Sequence, residues 1–163
     1  PEPRPNLFLD FDKFFTWGYQ WERTNVVLIG VRVANRGSIG TVISQSRLVM
    51  NLGGKTYEGN PESIPARGLD IPSGLKKPEH IMPDQALYER ASDTPIQPGA
   101  LIQGYLIFSF PQLPENIVNE TTPEFVLTLV DAWGRGYDWK HVYSPKNKHL
   151  RYYPGLDKPR DNP

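Results

Sequence analysis

Histidine, cysteine and serine most often carry metal or covalent chemistry, and they form no recognisable motif in this chain. Cysteine is absent, which excludes disulfides, thiolate nucleophiles, zinc fingers and iron–sulfur clusters. The three histidines, His80, His141 and His149, lack the spacing that places two imidazoles on one helical face around a metal. The serines lie in no nucleophile elbow. We therefore expect no catalytic residue, metal site or cofactor, and histidines at the surface.

Two weaker patterns point to phosphate or calcium binding. Gly54-Lys55-Thr56 resembles the end of a phosphate-binding loop, but the glycine required five positions earlier is missing and the segment joins two strands. A hairpin turn is the better interpretation. Asp10 and Asp12 share one face of the first strand, and Asp131 and Asp138 flank the last hairpin. They match no specific calcium loop, so we interpret them as solvated carboxylates.

Aromatic residues offer the clearest candidate surface. If residues 16–22 are extended, three rings fall on one face at a period of two. These rings are either exposed, as a platform for sugars or for a partner protein, or buried under a later proline-rich segment. We favour burial. A second aromatic group lies on the last hairpin, and we expect both groups to meet on one rim. The candidate ligand or partner surface comprises Trp17, Tyr19, Trp21, Trp133, Tyr137 and Trp139.

The charged residues balance, because 18 basic and 18 acidic side chains give a net charge of zero. Nucleic-acid binding depends on clustered Lys and Arg that neutralise phosphates, so we expect no nucleic-acid partner. The segment 140–160 mixes basic residues with tyrosines. We interpret it as a solvated segment held by its tyrosines in preference to a polyanion-binding surface.

The length of 163 residues suits a single domain, and 17 prolines with 14 glycines indicate a turn-rich one. No apolar run approaches the length of a membrane span. The chain begins with Pro1 in place of Met, so we expect a trimmed chain whose membrane tether, where one exists, lies upstream.

Apolar residues alternate with polar ones along most of the chain, which is the pattern of strands with one buried face. The strongest example is Thr24 to Asn35, where Val27, Ile29, Val31 and Val33 form the inward row. Gly53-Gly54 predicts a two-residue hairpin turn. Seven or eight strands are expected, over 6–12, 24–35, 41–52, 55–57, 100–110, 125–131 and 136–143.

Residues 59–99 carry seven prolines, whose spacing prevents a long helix or a central strand. Only 84–91 can form a short helix, with Pro83 near its first turn. We interpret this segment as an ordered insertion that wraps over the body, since loops of this length in compact domains usually have a role. Strands do not alternate with helices, so two packed antiparallel sheets are predicted.

The order of these features resembles that of immunoglobulin-like extracytoplasmic domains of bacterial lipoproteins and membrane-tethered proteins. The residues that carry the resemblance are the apolar strand 27–37 ending in Asn-x-Gly, the Pro-Gly entry at 98–100, the strand 104–108, and 127–131 with Gly134. The resemblance implies an address outside the cytoplasm, in the bacterial periplasm or at the cell surface, and a binding or scaffolding role.

These patterns together predict an all-β, immunoglobulin-like antiparallel sandwich. It spans 1–143 as one domain with the 59–99 insertion, followed by an extended tail over 144–163. We expect a non-enzymatic interaction or structural module of the cell envelope, whose partner is a protein or a glycan. The alternative is a carbohydrate-binding module that uses the aromatic platform at Trp17 and Trp21.

Overall fold

The computed structural model describes residues 2–21, 24–71, 79–113 and 123–142. Within these ranges, side chains are described for all residues except 11–24 and 71. His149 and the tail over 144–163 lie outside these ranges. Within them, no helix has the length and apolar character needed to cross a bilayer.

The described residues form ten strands, a 3₁₀ turn and one short helix. They are β1 (Leu7–Trp21), β2 (Thr24–Asn35), β3 (Ile43–Leu52), β4 (Lys55–Glu58), β5 (Asn60–Glu62), β6 (Leu69–Ile71), β7 (Glu79–Ile81), the turn Pro83–Gln85, α1 (Leu87–Ala91), β8 (Leu101–Phe110), β9 (Glu124–Asp131) and β10 (Gly136–Val142). All paired strands are antiparallel.

Eight of these strands form two facing sheets. The first sheet has the order β1-β2-β8-β5, and the second has the order β10-β9-β3-β4. The remaining pair, β6 and β7, forms a separate hairpin. The predicted all-β antiparallel sandwich is thereby confirmed.

The main core lies between the two sheets. The predicted inward row of β2, from Val27 to Val33, is fully buried. It faces Leu48 and Met50 of β3 and alternate residues of β9. Phe110 and Phe125 meet edge to face across the core, with ring centroids 6.2 Å apart and planes at 65°. Alternation therefore identified this core correctly.

The other face of the first sheet is apolar as well. Val26 and Leu28 of β2 project away from the main core, yet they are buried. Together with Tyr105 and Ile107 of β8 they form a second apolar cluster, which is covered by three residues of the insertion: Ile64, Leu69 and Ile81. The insertion therefore wraps over the body as predicted, and the β6–β7 hairpin supplies part of the cover.

Strand β1 is longer than predicted. It continues past Asp12 to Trp21, with an irregularity in its pairing to β2 between Phe11 and Lys13. A bulge of this kind reverses which side chains face the core. The alternating pattern in the sequence therefore stops at Asp12. The hairpin turn is as predicted, since Gly53 and Gly54 have φ angles of +57° and +79°.

Helix α1 closes the side of the sandwich next to β8. Leu87 and Ala91 are buried in the main core, and Ala86 bridges to Tyr105. The helix lies directly on Gly104, where an added Cβ would come within 2.5 Å of the Cα of Leu87. The absence of a side chain at Gly104 therefore permits this contact.

We predict that Gly104→Ala displaces α1 and lowers the free energy of unfolding by about 1–3 kcal/mol, as overpacking of a rigid site does. Gly136→Ala is the matched control, because its Cβ would lie 3.5 Å from the methyl group of Thr128, an ordinary contact distance. Urea denaturation of both variants measures the difference. Equal stability of the two variants would show that α1 does not rest on this glycine.

Candidate functional site

Four connecting segments meet at one end of the sandwich, which we call the loop end. Arg36 N donates to Asn6 O at 2.7 Å, and Ser38 N donates to Arg4 O at 2.9 Å. These bonds join the start of the chain to the connection after β2. The loop end comprises the segments 2–6, 36–42, 92–100 and 132–135.

Asn35 is the buried link between three of these segments. Its Nδ2 donates to Ile39 O at 2.7 Å and to Ile96 O at 2.8 Å. Its Oδ1 accepts from Asn6 N at 3.3 Å and Gly37 N at 2.9 Å. A side-chain amide has two donor hydrogens and one acceptor oxygen, and all of them are used here. The amide therefore holds the loops in one arrangement.

Asp131 holds the turn between β9 and β10. The residue is 1% exposed, and its Oδ1 accepts from Trp133 N at 2.9 Å and Arg135 N at 3.0 Å. Its Oδ2 accepts from the hydroxyl of Tyr137 at 2.9 Å. A buried carboxylate needs such donors to offset its lost hydration. Asp131 thus stabilises the turn, and its oxygens are occupied.

Trp133 projects from this turn into solvent with 67% of its surface exposed. Beside it lies a groove of about 310 Å³ whose walls come from the turn and from the start of the chain. Its lining includes the side chains of Trp133, Arg135, Arg4 and Glu2, together with the rings of Pro3 and Pro5. This groove combines an exposed aromatic ring with charged groups, and it is our candidate binding site.

The described lining of the groove contains two positive and two negative side chains. Arg4 and Arg135 lie there with Glu2, whose carboxylate faces solvent, and with Asp131, whose carboxylate is buried in the turn. The Arg135 guanidinium lies over the Tyr137 ring, 5.1 Å from its centroid. Burial, followed by the hydrogen bond to Asp131 and its negative charge, raises the pKa of Tyr137. The hydroxyl therefore stays a donor at neutral pH.

The other two aromatic residues of this hairpin face the core. Tyr137 and Trp139 are half-buried and pack against the main core. Trp139 also stacks on His141, with ring centroids 5.2 Å apart and planes at 6°. Burial lowers the pKa of His141, which is therefore not the surface histidine that we expected. Of these three aromatic residues, Trp133 is the one that solvent reaches freely.

The first aromatic group lies far from Trp133. Trp17 pairs with Val26 and Trp21 pairs with Thr24, whereas Leu7, next to the loop end, pairs with Asn35. Ten residues of strand separate Leu7 from Trp17, a distance of roughly 33 Å. Trp17 therefore does not share a rim with Trp133, whereas a meeting of the first group with the rest of the last hairpin stays a prediction. Tyr19 lies between Trp17 and Trp21 on β1. The side chains of all three residues are outside the described part of the structure.

The one hydrogen-bonded acid–histidine pair recorded in the described ranges lies elsewhere, on the β6–β7 hairpin. His80 Nδ1 and Asp70 Oδ1 are 2.7 Å apart. The other ring nitrogen of His80 lies against the backbone of Gly68, where a Cβ would approach it within 2.4 Å. The pair joins β6 to β7, so it fits a role in holding the hairpin.

The described carboxylates considered for calcium do not converge, and the side chain of Asp12 lies outside the described part of the structure. Asp10 forms an ion pair with Arg32, and Asp138 accepts a hydrogen bond from Thr128 at 2.6 Å. The described residues contain no group of three or more His, Asp or Glu side chains that could hold a metal ion. Gly54-Lys55-Thr56 forms the hairpin turn and the start of β4.

The sequence-based candidate surface included Trp133 but not Arg4, Arg135 and Glu2, which line the groove. The available signal for Trp133 was the turn itself, because a tryptophan between Asp131 and Gly134 belongs to no strand row and is free to face solvent. The approach of the first residues of the chain to this turn had no local signal, because the contact joins segments about 130 residues apart.

We predict that Tyr137→Phe lowers the free energy of unfolding at pH 8 by about 1–3 kcal/mol, because the buried Asp131 loses a donor. The pKa of Tyr137 is raised in the folded chain, so its contribution is complete below about pH 10 and disappears as the pH rises through the folded value. Urea denaturation at pH 8 and pH 11 should show the gap between wild type and variant shrinking.

The matched control for this measurement is Tyr57→Phe. Tyr57 also packs half-buried against the main core, and its hydroxyl has no hydrogen-bond partner among the residues that the structure describes. A similar loss in both variants, or a gap that does not change with pH, would contradict the role assigned to the Tyr137 hydroxyl.

Comparison with known proteins gives two distant structural similarities. No family model matches the chain, and no curated protein matches it. A solved structure described as a "putative lipoprotein" of Staphylococcus aureus shares 6% identity over 90% of this chain and 87% of its own, with a TM-score of 0.49. The "putative ApaA protein" of Bordetella pertussis shares 13% identity over 88% of this chain and 94% of its own, with a TM-score of 0.40. At these values, neither protein indicates a ligand or a location for this chain.

Proposed function

We propose that this chain is a non-enzymatic binding module whose contact surface is the loop end, with Trp133 as its anchor. The observation that carries the proposal is the position of Trp133, a large ring that is 67% exposed on a turn fixed by the buried Asp131. Exposed tryptophan is unfavourable in water, and tryptophan is enriched among the residues that dominate binding energy.

The turn prepares Trp133 for binding. Ordering a flexible loop on association costs free energy, and that cost falls when the loop already has its bound shape. Here the backbone on both sides of the tryptophan is held by Asp131, and the neighbouring segments are held by Asn35. The loop end therefore presents a preorganised surface.

The two guanidinium groups of the groove favour a protein partner with an acidic group. Arg4 and Arg135 flank the indole, and arginine pairs well with carboxylates through its fork of donors. The rings of Pro3 and Pro5 add flat apolar walls that lose no side-chain entropy on binding. An acidic segment of a protein, with an apolar side chain against Trp133, fits this combination.

Immunoglobulin-like architecture is part of the proposal. The strand orders β1-β2-β8-β5 and β10-β9-β3 follow the A-B-E-D and G-F-C orders of that fold, with β4 added next to β3. In antibody variable domains, the B–C and F–G loops of one end bind the antigen. The corresponding segments here, 36–42 and 132–135, lie together at the loop end, although similar architecture alone does not imply function.

The absence of catalysis is supported by how the acidic and basic groups are used. The Asp131 oxygens accept three hydrogen bonds from the turn and from Tyr137. His80 is hydrogen-bonded to Asp70, and its second ring nitrogen lies next to the Gly68 backbone. A general acid or base must reach a substrate atom, and neither group is placed to do so.

A location in the cell envelope also belongs to this proposal. Its support is the resemblance of residues 27–37 and of the later strands to extracytoplasmic domains. Fractionation of cells that make the native gene product tests it: recovery with the envelope supports the location, and recovery with the cytosol contradicts it.

A glycan is the second candidate partner. The specific observation that favours it is the same exposed indole of Trp133, since a flat ring beside polar groups can stack on a sugar. A glycan array probed with the whole chain separates the two candidates. Binding that Trp133→Ala abolishes would favour the glycan, and no binding would favour the protein.

We predict that a photo-cross-linking residue placed at position 135 captures a protein partner in cells of the source organism, and that one placed at position 101 does not. With that partner purified, calorimetry should show about 30-fold weaker binding for Trp133→Ala, the loss expected of a central anchor of 2 kcal/mol or more. Arg135→Ala should weaken binding less and in a salt-dependent way.

Leu101→Ala is the matched control, because Leu101 is 61% exposed on the first sheet, away from the groove. Its affinity should equal that of the wild type. Equal losses for Trp133→Ala and Leu101→Ala, or unchanged affinity in Trp133→Ala, would place the contact surface elsewhere.

A further inference from the structure

A second cavity of about 200 Å³ opens on the opposite edge of the first sheet from β1. The cavity lies between β5 and the helical segment 83–91, at a part of the β8 edge that neither of them covers. Its apolar walls include Ile64 of the insertion and Phe108 of β8. The cavity is smaller than the roughly 300–1,000 Å³ typical of sites for drug-sized ligands. A nucleotide or a disaccharide is therefore too large for it.

Among the described residues, the charged side chains that line this cavity are acidic. Glu62 of β5 and Glu89 of α1 contribute carboxylates, and no Lys, Arg or His of the described ranges lines the cavity. The neighbouring Arg90 is directed elsewhere, since its guanidinium donates to Asp84 O at 3.1 Å and Gln103 O at 2.8 Å. Glu62 accepts from the neutral Ser109 hydroxyl at 2.7 Å, and it forms no ion pair within the described part of the chain.

Ser46 places a hydroxyl on the wall of the cavity. It occupies the inward row of β3 that continues with Leu48 and Met50, where an apolar residue would be expected. Its hydroxyl has no hydrogen-bond partner in the described part of the chain. A half-buried hydroxyl in this position offers an acceptor to whatever enters the cavity.

We propose that this cavity binds a primary alkylammonium or guanidinium group on a short alkyl chain, no larger than the side chain of Lys or Arg. The apolar walls fit the alkyl chain, and the carboxylates of Glu62 and Glu89 fit the cation. Tyr88 lies at the mouth with 67% of its surface exposed and offers a ring face to the same cation.

The same features exclude ligands of other charge. An anion in the cavity would face two carboxylates with no cationic side chain among the described lining residues. This arrangement is unfavourable near a low-dielectric wall. A neutral alcohol of equal length would gain the apolar contact alone. Charge selectivity is thus the property that separates this site from a cavity left by imperfect packing.

The experiment is a titration of the isotope-labelled whole chain followed by amide NMR. n-Butylammonium chloride is the probe, and n-butanol and sodium butyrate are neutral and anionic probes of the same length. We expect n-butylammonium to shift the amides of Ala86, Leu106 and Phe108 with saturation, and the other two probes to bind at least tenfold more weakly.

Two variants and one control test the assignment of residues. Glu89→Gln keeps the shape of an exposed side chain and should weaken n-butylammonium binding about threefold to tenfold. Ser46→Val should weaken n-butylammonium binding more than Glu89→Gln does, because it places a methyl group in the cavity. Glu58→Gln removes an exposed carboxylate on β4, outside the cavity, and should leave the affinity unchanged.

A free amine and the side chain of a partner are the two sources of such a group, and two peptides distinguish them. If Gly-Lys-Gly binds as well as n-butylammonium and its acetyl-lysine form does not, the cavity receives a side chain. If n-butylammonium binds and neither peptide does, it receives a free amine. Both results support the cation site.

Three results would overturn the proposal: equal binding of n-butanol and n-butylammonium, shifts spread over all exposed carboxylates, or an affinity that Glu89→Gln does not change. None of these bears on the loop end, because Trp133 lies outside this cavity.

Discussion

The rest of the structure depends on one constraint, which is that the central strand β2 is apolar on both faces. Val27 and Ile29 face the second sheet, while Val26 and Leu28 face the other way and are buried as well. A two-layer sandwich covers one face of each sheet, so the first sheet needs a third layer. The insertion supplies it through Ile64, Leu69 and Ile81. The length of the insertion is thereby explained by packing, and most of the outer face is withdrawn from recognition.

The loops are ordered by a different kind of interaction, the hydrogen bonds of buried polar side chains. Asn35 and Asp131 are almost inaccessible to solvent, and each accepts or donates at least three hydrogen bonds to segments that would otherwise be free. Removing such a group leaves its partners unsatisfied in a region that water does not reach, which costs more than the net value of one hydrogen bond. A single arrangement of the loop end is therefore strongly favoured, and a rigid turn can expose Trp133 without collapse of the indole onto the core.

The sequence predicted the strands well where one face is buried, because alternation is a local property. The limits of β2 are those expected, and the glycines of the β3–β4 turn have the positive φ angles that the pattern requires. It did not predict β1 beyond Asp12, since a bulge interrupts the alternation there. The bonds of Asn35 join residues up to 61 positions apart, and nothing local announces them. Ser46 was the missed signal for the second cavity, as a polar residue in an inward row that otherwise reads as apolar.

A net charge of zero is the basis for expecting no nucleic-acid partner, which stays a prediction, and it says nothing about how charge is distributed over a surface. Among the described residues, Arg4 and Arg135 line the groove of the loop end together with Glu2 and Asp131, whereas the charged residues that line the cavity beside α1 are Glu62 and Glu89. Surface charges act over about one Debye length, roughly 8–10 Å in physiological salt, so a ligand at one of these places responds to the charges of that place. Under the two proposals, the guanidinium groups of the groove pair with an acidic partner, and the carboxylates of the cavity pair with a cation. The inner faces of both sheets and most of the outer face of the first sheet are covered. A ligand is therefore expected at the ends and edges of the sandwich or on the outer face of the second sheet, where the folding constraint on β2 does not determine the side chains.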